Sequence, residues 1–77
     1  RERVPLDWAR TQNNLGLVLR EIGNRTDDRQ ALTDALTAFR NARTVFIDEA
    51  GQTHHARTFD NTIAAVLAEL AALADQQ

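Results

Sequence analysis

The chain contains no cysteine, which excludes disulfides and thiolate metal sites and leaves the cytoplasm as the default expectation for its compartment. Lysine is missing as well: all nine basic residues are arginine, set against eleven Asp and Glu, for a formal net charge of −2. Such a balance supplies no basic patch, so neither nucleic acid nor an anionic membrane is expected as a partner. No apolar run approaches the roughly 20 residues that span a bilayer. The opening residues Arg1-Glu2-Arg3-Val4-Pro5 do not resemble a secretion signal. Strand-like alternation and low-complexity segments are also lacking. No nucleophile with a base, no paired carboxylates and no phosphate-cradling glycine loop stand at a recognisable spacing, so no enzyme, no cofactor and no catalytic residue are expected.

What remains is enough to fold. Seventy-seven residues, 43% hydrophobic and 26% charged, allow one small soluble domain of slim stability. The chain begins at Arg1 instead of a methionine, and it is expected to be a fragment of something longer.

Apolar positions recur at helical spacing along three stretches. In the first, Trp8, Leu15, Leu19 and Ile22 form a stripe, and Pro5 suits an opening helical turn because its missing amide hydrogen would be unsatisfied there. This predicts a helix over 5–23 that stops at Gly23-Asn24. Gly16 costs roughly 1 kcal/mol against alanine inside a helix, so its presence predicts a second helix passing too close for a β-carbon. Trp8, on the same stripe, is expected to pack and not to project as an anchor.

Thr26, Asp27 and Asp28 are N-cap candidates for a second helix over 28–50, capping being a better use of the acidic pair than calcium, for which no loop spacing follows. Leu32, Ala35, Leu36, Phe39, Ala42 and Phe46 share one face of that helix. Asp48 and Glu49 lie at its negative end, where the dipole disfavours them and fraying is expected, and Gly51 supplies a C-cap. Thr53 then caps a third helix over 54–75, with Phe59, Ile63, Val66, Leu67, Leu70 and Leu73 as its apolar set. The fold class is therefore all-α, three helices in antiparallel succession. His54 and His55, with Asp60 near, are the only metal-ligand candidates, but adjacent helical residues diverge by about 100° and a third ligand is missing. They read as solvated histidines at a helix start.

An internal repeat is present at an offset of 48, which aligns Asn13 with Asn61, Leu15 with Ile63, Gly16 with Ala64, Val18 with Val66, Leu19 with Leu67, Glu21 with Glu69 and Ile22 with Leu70. Small residues at both Gly16 and Ala64 suit two close helix contacts. With Leu15-Gly16 and Leu19 in the first helix, and Ala35, Phe39 and Ala42 in the second, the chain resembles the tetratricopeptide repeat (TPR) family over about residues 5–73. The wording PLDWARTQNNLG looks like the extended repeats found in tandem in large bacterial proteins, Gly23–Arg29 being the longer inter-helix loop.

The resemblance implies a right-handed superhelical scaffold, here one full repeat followed by a capping or half-repeat helix, and a function in binding protein partners. First helices line the concave surface in that family. Mapped by position, the lining is Arg10, Asn13, Leu17 and Arg20 in the first copy, and Thr58, Asn61, Ala65 and Ala68 in the second. Arg10, Asn13, Leu17, Arg20 and Asn61 are accordingly the candidate partner-binding residues, since an asparagine amide both donates and accepts and an arginine can grip a carboxylate with two parallel bonds. The lysine-and-asparagine clamp of the chaperone-binding members is not reproduced. A structural alternative stands beside this one. Repeat units leave their ends uncovered, so Leu17 and Val18 on one side, with Val66, Leu70 and Leu73 on the other, could drive homo-oligomer formation or make the unit a spacer.

Overall fold

The computed structural model describes residues 5–49 and 56–75. They form three α-helices, α1 (Pro5–Thr26), α2 (Arg29–Arg43) and α3 (Ala56–Asp75), and α2 runs on into a π-helical segment, Thr44–Glu49. Among the described residues there is no strand, so the chain is all-α as expected. The proposed caps at Gly51 and Thr53, and the His54-His55 pair, lie outside the described residues.

The central element is α2. Ala31, Leu32, Ala35, Leu36, Ala38, Phe39 and Ala42 are all buried, because α1 and α3 pack on it from two sides. Gly16 of α1 lies against Phe39, and Gly23 against Leu32. Further back, Ala9 joins Ala42 and Val45 in one cluster, so the two helices run antiparallel. Phe46, in the π-helical segment, meets Phe59 of α3 at 5.6 Å between ring centroids. Arg43 Nε donates to Asp60 Oδ1 at 2.8 Å, and at the far end of α3 Val66 and Leu73 enter the cluster of Leu32, Ala35, Leu36 and Phe39. By this order α3 is antiparallel to α2 and parallel to α1.

The α1 stripe differs from the expected one. Its fully covered positions are the small residues Ala9, Gly16 and Gly23, whereas Leu15 and Ile22 each keep 44% of their surface exposed. Only Leu19 and Trp8 of the larger set are half-buried, against the Leu32–Phe39 and Ala42–Val45 clusters respectively. Close approach explains the exchange. A β-carbon at Gly16 would sit 2.8 Å from the Phe39 ring, so α2 lies directly over the glycine edge of α1 and turns the bulkier Leu15 and Ile22 aside. The expected counterpart contact at Ala64 does not form, since Ala64 is exposed. In α3 the covered positions are Phe59, Val66 and Leu73, while Leu67 is 44% exposed.

Gly23 is likewise a packing residue, not a helix stop. Its β-carbon would fall 2.6 Å from Leu32 Cγ and 3.1 Å from the Leu32 backbone nitrogen. Continuing to Thr26, α1 ends where Asp27 takes φ 52°. The Asp28 N–H then donates to the Gly23 carbonyl at 3.0 Å. This is the six-to-one bond of a Schellman close with aspartate in the left-handed position usually given to glycine. Asp28 immediately caps α2, its Oδ1 accepting from the Ala31 N–H at 3.2 Å. The long loop expected over Gly23–Arg29 thus contracts to Asp27 and Asp28. The second helix also departs from α geometry at Thr44, where the wider π turn brings Val45 to 1% exposure.

Two substitutions test this account by urea denaturation followed by far-ultraviolet circular dichroism. Gly23→Ala gains roughly 1 kcal/mol of helix propensity but overpacks a contact that includes backbone, typically costing about 1–3 kcal/mol, so a net loss of about 1 kcal/mol is expected. Asp27→Gly relieves the left-handed backbone and is expected to raise stability by about 0.5 kcal/mol.

Candidate interaction surface

Where α1 and α3 run side by side, their backbones stay apart and long polar side chains cross the gap. Arg20 Nε donates to Glu69 Oε1 at 3.1 Å and Oε2 at 3.2 Å. Its Nη2 donates to Oε2 at 2.6 Å, and Asn24 Nδ2 donates to Oε1 at 3.1 Å. Both partners are only partly exposed, 31% for the Arg20 side chain and 25% for that of Glu69, so solvent screens this pair less than a fully exposed one. The Arg20 hydrogen bonds hold the Glu69 carboxyl below the usual carboxylate range. Burial works in the opposite direction, and the Asn24 amide and the Arg20 charge add to the lowering. The Arg20 guanidinium is stabilised as a cation by the same contact.

The five candidate binding residues separate around this clamp. Arg10, Asn13, Leu17 and Arg20 follow one another at three- and four-residue steps along one side of α1. Arg10 is exposed and bonds only weakly to Asp7, at 3.5 Å. Asn13 is half-buried, and Leu17 is 50% exposed between them. Arg20 is different, because its fork is already occupied by Glu69 and serves the interior of the chain. Asn61 is exposed on α3. With the two helices parallel and in register at Arg20 and Glu69, the residue level with Asn13 is the half-buried Thr62, seven positions before Glu69 as Asn13 is before Arg20. The asparagine recurrence at 48 therefore does not place the two amides opposite one another.

Glu69 and Asn24 were given no role by sequence reasoning. Glu69 stood aligned with Glu21, and the available signal, an acid on α3 facing a base on α1, depends on knowing that the helices run side by side. The second reading's ends also change. Val66 and Leu73 are core, and the apolar residues left open are Leu15, Leu17, Val18 and Ile22 on α1 and Leu67 on α3.

Chemically the surface is suited to binding. Among the described residues no polar or charged side chain is buried, and no group of three His, Cys, Asp or Glu could hold a metal ion. No described helix is long and apolar enough to cross a membrane.

The clamp has a definite pH sign. Because the folded carboxyl of Glu69 is lowered, its contribution is complete above the unfolded value of about 4.3 and is lost as pH falls through the lower folded value. Glu69→Gln is therefore expected to weaken folding at pH 7 and to flatten the acid limb of the stability profile. A double-mutant cycle with Arg20→Met should give a coupling of about 1 kcal/mol, and a coupling near zero would show that the clamp is not stabilising.

Comparison with family models, curated proteins and solved structures finds no match for this chain.

Proposed function

We propose that this chain is a protein-interaction module, a scaffold unit of the tetratricopeptide type that takes a peptide or helical segment of a partner protein along the α1 face. One observation carries the reading. Arg10, Asn13 and Leu17 form a contiguous mixed face that the chain's own core leaves uncovered, on a helix held rigidly from behind by the Gly16 and Gly23 contacts. Rigidity matters, because a pre-organised surface loses less entropy when it binds. Arg20 takes a positioning role through Glu69, while Asn61 supplies a further donor and acceptor on α3. The reading assigns no catalysis and no cofactor, takes neither nucleic acid nor membrane as partner, and places the module in the cytoplasm within a solenoid of right-handed superhelical form.

A second reading is self-association or a spacer role, and the exposed Leu15, Val18, Ile22 and Leu67 favour it, since contiguous apolar surface on a small chain marks an interaction site.

Peptides selected by display against the intact chain separate the two. Under the first reading, replacing Arg10, Asn13, Leu17 and Asn61 together by alanine should weaken the selected peptides at least about tenfold, roughly 1.4 kcal/mol, with the helical circular dichroism unchanged. Unaltered affinity would remove the groove assignment. Under the second, sedimentation velocity should show association that grows with concentration, and a concentration-independent monomer would dismiss it.

A further inference from the structure

The helices α1 and α3 share a sequence register at an offset of 48, yet they turn different faces to α2. Phe59, Ile63, Val66, Leu70 and Leu73 of α3 lie on α2 or the segment that continues it. The α1 residues at the matching sequence positions are Thr11, Leu15, Val18, Ile22 and Arg25, and every one is exposed, with Val18 at 56%. Conversely, α1 meets α2 through Ala9, Gly16, Leu19 and Gly23, and their α3 counterparts Arg57, Ala64, Leu67 and Ala71 are all exposed. In burial the offset is therefore 50: Ala9, Gly16 and Gly23 correspond to Phe59, Val66 and Leu73. Two residues is about 200° of helical rotation, so each helix carries two faces and uses only one of them within the chain.

From this we infer that the Leu15–Val18–Ile22 face of α1 is a docking site for one helix of the α2 type, presented by an adjoining unit and seated on α1 as α2 is seated on α3. The occupant's chemistry follows from the interface already formed. The α3 face is met by Leu32, Ala35, Leu36 and Phe39, large and small apolar residues at helical spacing. An aliphatic stripe of matching spacing on α1 accepts the same knobs. A second copy of this chain does not provide such a helix, because the α2 face is already covered by its own α1 and α3. The inference rests on the repeat-unit reading proposed above but concerns the opposite flank of α1 from Arg10, Asn13 and Leu17, so peptide binding on that face can stand or fall separately.

The 48-residue offset dictates the test, which is to fuse a copy of residues 27–48 directly ahead of Arg1 in the full chain. The extended protein is expected to melt at least about 5 °C above the parent and to protect the amides of α1 from hydrogen exchange. Leu15→Glu with Val18→Glu, at positions exposed in the parent, should leave the parent midpoint nearly unchanged and abolish the gain in the extended chain. An unchanged or lower midpoint overturns the inference, as does a gain that survives the two glutamates. Sedimentation of the parent as a dimer that the same glutamates dissociate would also overturn it, by making a second copy the occupant.

Discussion

The closeness of α1 to α2 is the constraint on which the rest of the structure depends. Without β-carbons at Gly16 and Gly23, the Phe39 ring and the Leu32 side chain lie directly on the α1 backbone, and both are fully buried as a result. Dispersion contacts fall off steeply with distance, so a fit of this kind contributes stability that a looser pair of the same composition would lack. It also leaves room on the other side of α2 for a helix with large side chains. The small-residue edge of α1 and the Phe59, Val66 and Leu73 edge of α3 thus complement each other across one shared helix.

Because α2 occupies the space between them, α1 and α3 meet only through long polar side chains. Arg20, Asn24 and Glu69 span the gap with charge-assisted hydrogen bonds in partly excluded surroundings, the setting in which such bonds outweigh their desolvation. The clamp fixes how α1 and α3 are aligned along their lengths, and it thereby sets which residues border the open surface. One arginine is withdrawn from that surface in the process, leaving Arg10, Asn13 and Leu17 as its α1 contribution.

Much of this was legible in the residues themselves. The three helices, the capping role of Asp28, the close contact at Gly16, the packed Trp8 and most of the α2 core follow from periodicity and local chemistry. The first-helix boundary did not, because glycine is ambiguous: Gly23 reads equally as a helix stop and as a contact point, and only the position of Leu32 decides. The choice of core stripe on α1 failed for a related reason. Hydrophobicity ranks Leu15 and Ile22 above Ala9, Gly16 and Gly23, whereas interhelical distance ranks them the other way. For the interaction surface, the α1 row was readable from spacing, but the engagement of Arg20 was not, since its partner lies 49 residues away in sequence.

By itself the sequence determined an all-helical chain of three segments, a tight Asp-capped turn and a 48-residue internal register, because these depend on local backbone preferences and on side-chain period. Tertiary structure alone decided which face of each helix is covered, since a helix with apolar residues on two sides satisfies its period with either one inward. Packing settled the matter by distance, drawing the glycine edge of α1 and the aromatic edge of α3 onto α2. The leucine and valine stripe of α1 was left open.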